Sequence, residues 1–169
     1  MPMKTVDFKT TPFGLSKQAW HAMKPNLIRM FINLMEQKQF LLQTAGKSDY
    51  YEGTDKALTG LAKEVFTNIP PPYRLDFLQT NDEGTNRLLL HVAVIWKYHN
   101  LTKHVLQATP KGKDRLELLE LQDAVGNTVI TIAENIAANS RQGATSYRKD
   151  FELMSWLRRQ QVQNQLSKV

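Results

Sequence analysis

The sequence predicts an all-α fold, a stack of about three imperfect helix-turn-helix units closed at each end by a helical cap. Three observations predict it. Apolar residues recur at helical spacing in successive segments, clusters of Pro, Gly, Asn and Asp cut those segments apart, and the order helix, break, helix, turn comes round again along the chain. With 169 residues, 41% of them apolar, there is enough nonpolar surface for one continuous core without cross-links.

Residues 1–14 are polar and turn-rich, with Pro2, Pro12 and Gly14, and are expected to form an extended arm. Residues 15–53 are expected to be an N-terminal helical cap and loop. Ser16 is a good N-cap for "KQAWHAM", and Pro25 either kinks that helix or opens the next one, so two helices are expected to meet near Lys24. In the second, Leu27, Phe31, Leu34, Met35 and Leu42 recur on one face while Arg29, Asn33, Glu36 and Lys38 turn away. Met23, Met30 and Met35 read as core, because methionine fills irregular gaps. "TAGKSDYYEGTD", 44–55, is expected to be a loop. Its "GKS" is not a phosphate loop, since Leu41 stands where the first glycine of that motif belongs and a helix, not a strand, precedes it.

Residues 54–157 carry the repeating order. "KALTGLAKEVF" places Leu58, Leu61, Ala62, Val65 and Phe66 on one helix face, with Thr54 or Asp55 as cap. Pro70, Pro71 and Pro72 end it, and Pro72 can open a short helix through "YRLDFLQ" before the turn residues Asn81, Asp82 and Gly84. "LLLHVAVIWKYHN" and "LTKHVLQAT" give the next pair of helices, closed by Pro110 and Gly112, and "DRLELLELQDAVGN" leads to a further turn. There the β-branched run "TVITI" has strong strand propensity, but its echo in "LLLHVA" and "KALTGLA" makes it the opening of a helix. Tyr147, Phe151, Met154 and Leu157 are expected to face inward from a last helix, which a basic, Gln-rich tail at 158–169 continues.

"DAVGNTVITIA" resembles the ankyrin repeat, a unit of about 33 residues with the pattern D-x-x-G-x-T-P-L-H-x-A. Asp123, Gly126, Thr128, Ile130 and Ala133 fall on that pattern, and Val129 and Thr131 replace its proline and histidine. Leu90, His91 and Ala93 match the L-H-x-A portion one unit earlier, and Ala57, Leu58 and Thr59 a weaker unit before that. From Leu58 to Leu90 is about one repeat length, but from Leu90 to Ile130 is 40 residues, so an insertion is expected around "KGKDRLELLE". Glycine permits the positive backbone angle of the turn, threonine caps the helix, and the small Ala93 and Ala133 let helices stack closely.

Several chemistries lack their residues. Cysteine is absent, which removes disulfides, thiolate metal sites and cysteine nucleophiles. His21, His91, His99 and His104 hold no metal-binding spacing, because His99 and His104 are five apart and point away from each other on a helix. His91 reads as a structural hydrogen-bonding histidine. "RQGATSYRKD" has Gly143 and Ser146 without a nucleophile elbow, and Glu117 with Glu120, or Asp82 with Glu83, read as solvent-facing carboxylates. No cofactor motif is present. "LIRMFINLM" is far shorter than the roughly 20 residues of a membrane span, and the first residues lack the pattern of a secretory signal, so a cytoplasmic protein is expected.

A net charge of +6 favours acidic partners. The resemblance implies a non-enzymatic protein-interaction module, an adaptor or an effector of the kind intracellular bacteria deliver into the host-cell cytosol. It nominates the turn tips and exposed first-helix faces: Asn81, Glu83, Thr85 and Asn86 at one tip, and Ala124, Val125 and Asn127 at the next. Ile95 and Trp96 join them by register, with Trp96 either exposed as an anchor or packed under the N-terminal cap or the inserted loop. The alternative is a nucleic-acid-binding protein whose basic surface is Arg148, Lys149, Arg158 and Arg159 on the last helix.

Overall fold

In the computed structural model residues 11–44, 52–82, 86–140 and 145–167 are described. Among them are a 3-10 turn, Pro12–Gly14, and eight α-helices with no strand: α1 Lys17–Thr44, α2 Glu52–Thr67, α3 Pro71–Leu78, α4 Leu89–Ile95, α5 His99–Ala108, α6 Lys113–Glu120, α7 Val129–Asn139 and α8 Thr145–Ser167. The all-α expectation holds. The GKS segment and Tyr50 and Tyr51 lie outside the described residues, as do Glu83 and Thr85 and the side chains of Lys38 and Leu42.

Ser16 does cap α1, its hydroxyl accepting from the Ala19 amide at 3.2 Å. The expected break at Pro25 is absent, and the helix runs through it. An interior proline costs about 3 kcal/mol. Trp20 on one side and Ile28, Phe31, Ile32 and Met35 on the other are all buried along the same stripe, and each such side chain returns about 2 kcal/mol, so one continuous rod is the cheaper arrangement. Leu34, expected in that stripe, is 37% exposed. The neighbouring Lys24 is buried, with its ammonium 2.6 Å from Asp76 on α3.

The seven-residue α4 is buried from Leu89 to Val94, which explains its unbroken apolar sequence. In α7 the β-branched run is helical. Thr128 caps it by accepting from the Thr131 amide at 3.2 Å. Val129, Ile130, Ile132, Ala133 and Ala137 are buried together. A valine or isoleucine costs about 0.5 kcal/mol of helix propensity, against about 2 kcal/mol gained by burying it, so packing decides over propensity.

The helices pack in rows. α1 lies on α4 and α4 on α7, α2 lies on α5 and α3 on α6, while α8 closes the stack against α6 and α7. Two groups of three helices therefore succeed each other, and the expected insertion near residue 113 is a whole helix of the second group. Phe13 extends the first group, its amide donating to the Asn68 carbonyl at 2.7 Å and its ring 6.2 Å from Trp20, so the last residues of the expected arm are tied down.

Two buried or half-buried arginines hold the corners. Arg74 donates to the carbonyls of Ile69 at 2.8 Å, Phe66 at 3.0 Å and Ala108 at 2.9 Å, so one guanidinium serves the C-terminal ends of both α2 and α5. Arg115, 7% exposed, donates to Thr109 and Gln107 carbonyls just after and within α5.

Candidate functional site

The tip before α7 is built by one carboxylate. Asp123 accepts from the amides of Val125 at 3.0 Å and Asn127 at 2.9 Å, and its own amide donates to the Asn127 carbonyl at 2.9 Å. Gly126 sits at φ 86°, a left-handed conformation that glycine adopts without strain. The backbone is thus pre-organised, and it presents Ala124 and Val125 to solvent, Val125 with 82% of its surface exposed. Asn127 is half-buried.

At the tip before α4 the Asp82 amide donates to the Arg87 carbonyl at 2.9 Å, a closure one residue longer than that at Asp123. Asn81 and Asn86 are exposed, Asn86 at φ 53°. Asp82, expected in solvent, is 3% exposed. Arg87 anchors this tip to α1 through two hydrogen bonds to Glu36, at 2.8 and 2.6 Å. That pairing holds the Glu36 carboxyl below its ordinary range and raises Arg87.

His91 joins the two tips. Its Nε2 lies 3.0 Å from the Leu121 carbonyl in the segment leading into the second tip. Burial pushes its pKa below the ordinary value of 6.5, so the ring stays neutral near pH 7 with Nε2–H donating. Ile95, at the end of α4, is 43% exposed. Trp96 is half-buried and packs against the core.

A buried polar knot lies at the α4–α5 corner. Asp150, with no exposed side-chain surface, receives His99 Nε2 and Lys97 Nζ, each at 3.2 Å, and the Ser140 hydroxyl. Burial raises its pKa, but the His99 and Ser140 bonds and the Lys97 charge outweigh that and hold it below the ordinary carboxylate range. The carboxylate is shared, one oxygen meeting His99 and the other meeting Ser140 and Lys97. Asp55, placed as a cap of its own helix by sequence reasoning, lies inside α2 and caps α5 instead, accepting from the amides of Asn100 at 2.9 Å and Leu101 at 3.0 Å. Burial raises its pKa against those two bonds.

No protein-family model, curated protein or solved structure matches the chain.

The basic residues of α8 are dispersed. Arg148 pairs with Glu152 at 3.0 Å, Arg158 pairs with Glu134 at 2.5 Å, Lys149 is half-buried beside Asp55, and Arg159 is exposed. Phe151, expected inward, is 51% exposed, while Met154 and Leu157 are buried and Tyr147 is half-buried. Among the described residues no group of three His, Asp or Glu is placed to hold a metal ion, and no helix is long and apolar enough to cross a membrane.

Sequence reasoning missed the Asp55 cap, the Asp150 knot and a set of lysines between α2 and α5. The signal for the lysines was present. Lys56, Thr59, Gly60 and Lys63 on one helix and Asn100, Lys103, His104 and Gln107 on another share the spacing i, i+3, i+4, i+7, a polar stripe on each. That the two stripes meet is a tertiary fact.

Proposed function

We propose that the chain is a non-enzymatic, ankyrin-like interaction module, an adaptor or effector that binds another protein through its turn tips. The observation that carries the reading is Val125: an aliphatic side chain held almost fully in solvent at the apex of a turn whose backbone is locked by Asp123. An ordered apolar tip binds without the entropy cost of arranging a loop. Support also comes from the backbone closure of both tips, at Asp82 and at Asp123, and from the His91 bond between successive units. Ala124, Asn86, Asn81 and Ile95 flank this surface. A cytosolic partner with an acidic face fits the net charge of +6.

The test is capture from a cell lysate with the full chain, with and without nuclease, beside the Val125→Asp variant. The expected outcome is a defined protein retained after nuclease and lost with Val125→Asp at unchanged thermal stability. Loss of the partner on nuclease treatment, with Val125→Asp behaving as wild type, would sink this reading in favour of nucleic-acid binding.

A further inference from the structure

A concentration of side-chain donors lies away from both tips, in the furrow between α2 and α5. It encloses about 480 Å³ and is lined by Lys56, Gly60 and Lys63 of α2 and by Asn100, Lys103 and Gln107 of α5. A second depression of about 260 Å³ shares Lys63 and Gln107 with it and extends to Arg74. We infer that this furrow binds a compact ligand bearing several phosphate groups.

The lining decides the chemistry of the ligand. Ammonium groups and side-chain amides converge on one opening, and among the described residues no carboxylate lines either depression. Lys63 and Lys103 make no salt bridge among those residues, although α2 and α8 carry acids elsewhere. Lys103 instead lies over the Trp156 ring, its nitrogen 5.8 Å from the ring centroid, a contact that leaves the positive charge unneutralised. His104 lies where the two depressions join. Its Nε2 is inaccessible and has no hydrogen-bond partner among the described residues. Burial, together with the charges of Lys63 and Arg74, pushes its pKa below the ordinary value.

Size and lining separate the phosphate ligand from other anions. Lys56 and Lys63 are seven residues apart on one helix, about 10 Å along its axis, the reach of a few phosphates on one small molecule. The one aromatic ring lining the larger depression is the imidazole of His104, so a single-stranded nucleic acid would find one stacking platform there rather than the succession of them that it uses. Its floor passes over Gly60, where open space replaces a side chain, so an acidic peptide would find no apolar pocket for an anchor. What remains is a polyanion recognised by charge and by amide donors, through charge-assisted hydrogen bonds.

The experiment is a titration of the isotope-labelled full chain with sodium tripolyphosphate, followed by NMR. Inositol hexakisphosphate and vesicles carrying a bisphosphorylated phosphoinositide serve as free and membrane-borne arms. Saturable shifts confined to residues 56–63 and 100–107 are expected, with the His104 ring titrating at higher pH once the ligand is bound. Affinity should fall about tenfold or more in Lys63→Glu/Lys103→Glu and again in Gly60→Leu, which fills the furrow without changing its charge. It should be unchanged in Arg159→Glu. Tighter binding to one arm identifies the source of the phosphates. The inference is overturned by an absence of saturation at about 1 mM ligand, by equal affinity in wild type and all variants, or by binding to single-stranded RNA that strengthens with its length. Circular dichroism of each variant separates loss of the site from loss of the fold.

Discussion

His91 shows how one residue type takes on a role from its surroundings. The sequence marks it as structural because it lacks a metal-ligand partner at helical spacing, and the fold supplies the acceptor, the Leu121 carbonyl. Asp55 and Asp150 were not legible in the same way. Each is an ordinary acidic residue on a helix whose placing partners lie far off in sequence, Asn100 and Leu101 for Asp55 and His99 and Lys97 for Asp150, with Ser140 alone near its acid. The sign of the His91 shift makes it testable. Its folded pKa lies below 6.5, so between that folded value and 6.5 the unfolded chain binds more protons than the native one. Stability therefore falls as the pH is lowered through this window, by at most about 1.4 kcal/mol per pH unit for one proton. Replacing His91 by Gln keeps a donor for the carbonyl and removes the titration. Urea unfolding between pH 7.5 and 5 (about two and a half units around the imidazole range) is expected to show a shallower slope for His91→Gln than for wild type. Equal slopes would refute the neutral, buried assignment of His91.

At the scale of the element, periodicity was the reliable guide and propensity the weak one. The apolar spacing of α2, α5 and α7 survives in the burial pattern, whereas Pro25 and the run at 128–132 each carry a local signal that tertiary packing overrides. Both departures follow from apolar area outweighing backbone preference. The same comparison gives a prediction in α2. Gly60 sits inside a helix, exposed, and an added Cβ would meet nothing within 4 Å. Gly60→Ala removes the entropy that glycine loses on folding and adds no clash, so it should raise stability by about 0.5–1 kcal/mol in chemical denaturation. A destabilised variant would mean that the furrow floor is closer packed than the structure has it, and would weaken the volume argument for a ligand there.

For the whole molecule, the all-helical class was readable and the arrangement of the helices was not, because which polar stripe meets which depends on contacts distant along the chain. The candidate tip at 123–127 was legible, since Asp, Gly and Asn at fixed offsets make that turn wherever it occurs, while the furrow needed α2 and α5 brought side by side. The long-range polar ties also bear on how the molecule unfolds. A repeat array joined only by neighbouring faces can lose its ends separately. Here Arg87 ties the second helical group to α1, Arg74 ties α3 to α5, Asp55 ties α2 to α5, Asp150 ties α8 to the α4–α5 corner, and Asn164 on α8 accepts from the Gly112 amide at 2.7 Å. Each tie crosses between elements that a fraying end would have to separate, and at the buried ones, Asp55, Asp150 and the Gly112 amide, separation leaves a partner unsatisfied at a cost of about 1–3 kcal/mol. Unfolding should therefore be a single cooperative transition. Trp20 is buried in the first group and Trp156 half-buried on the last helix, so variants retaining only one of them report the two ends independently. Their fluorescence midpoints in urea are expected to coincide with each other and with the loss of helical circular dichroism. A lower midpoint at Trp156 alone would show α8 peeling away first, and the buried Asp150 tie would then be too weak to couple the last helix to the rest.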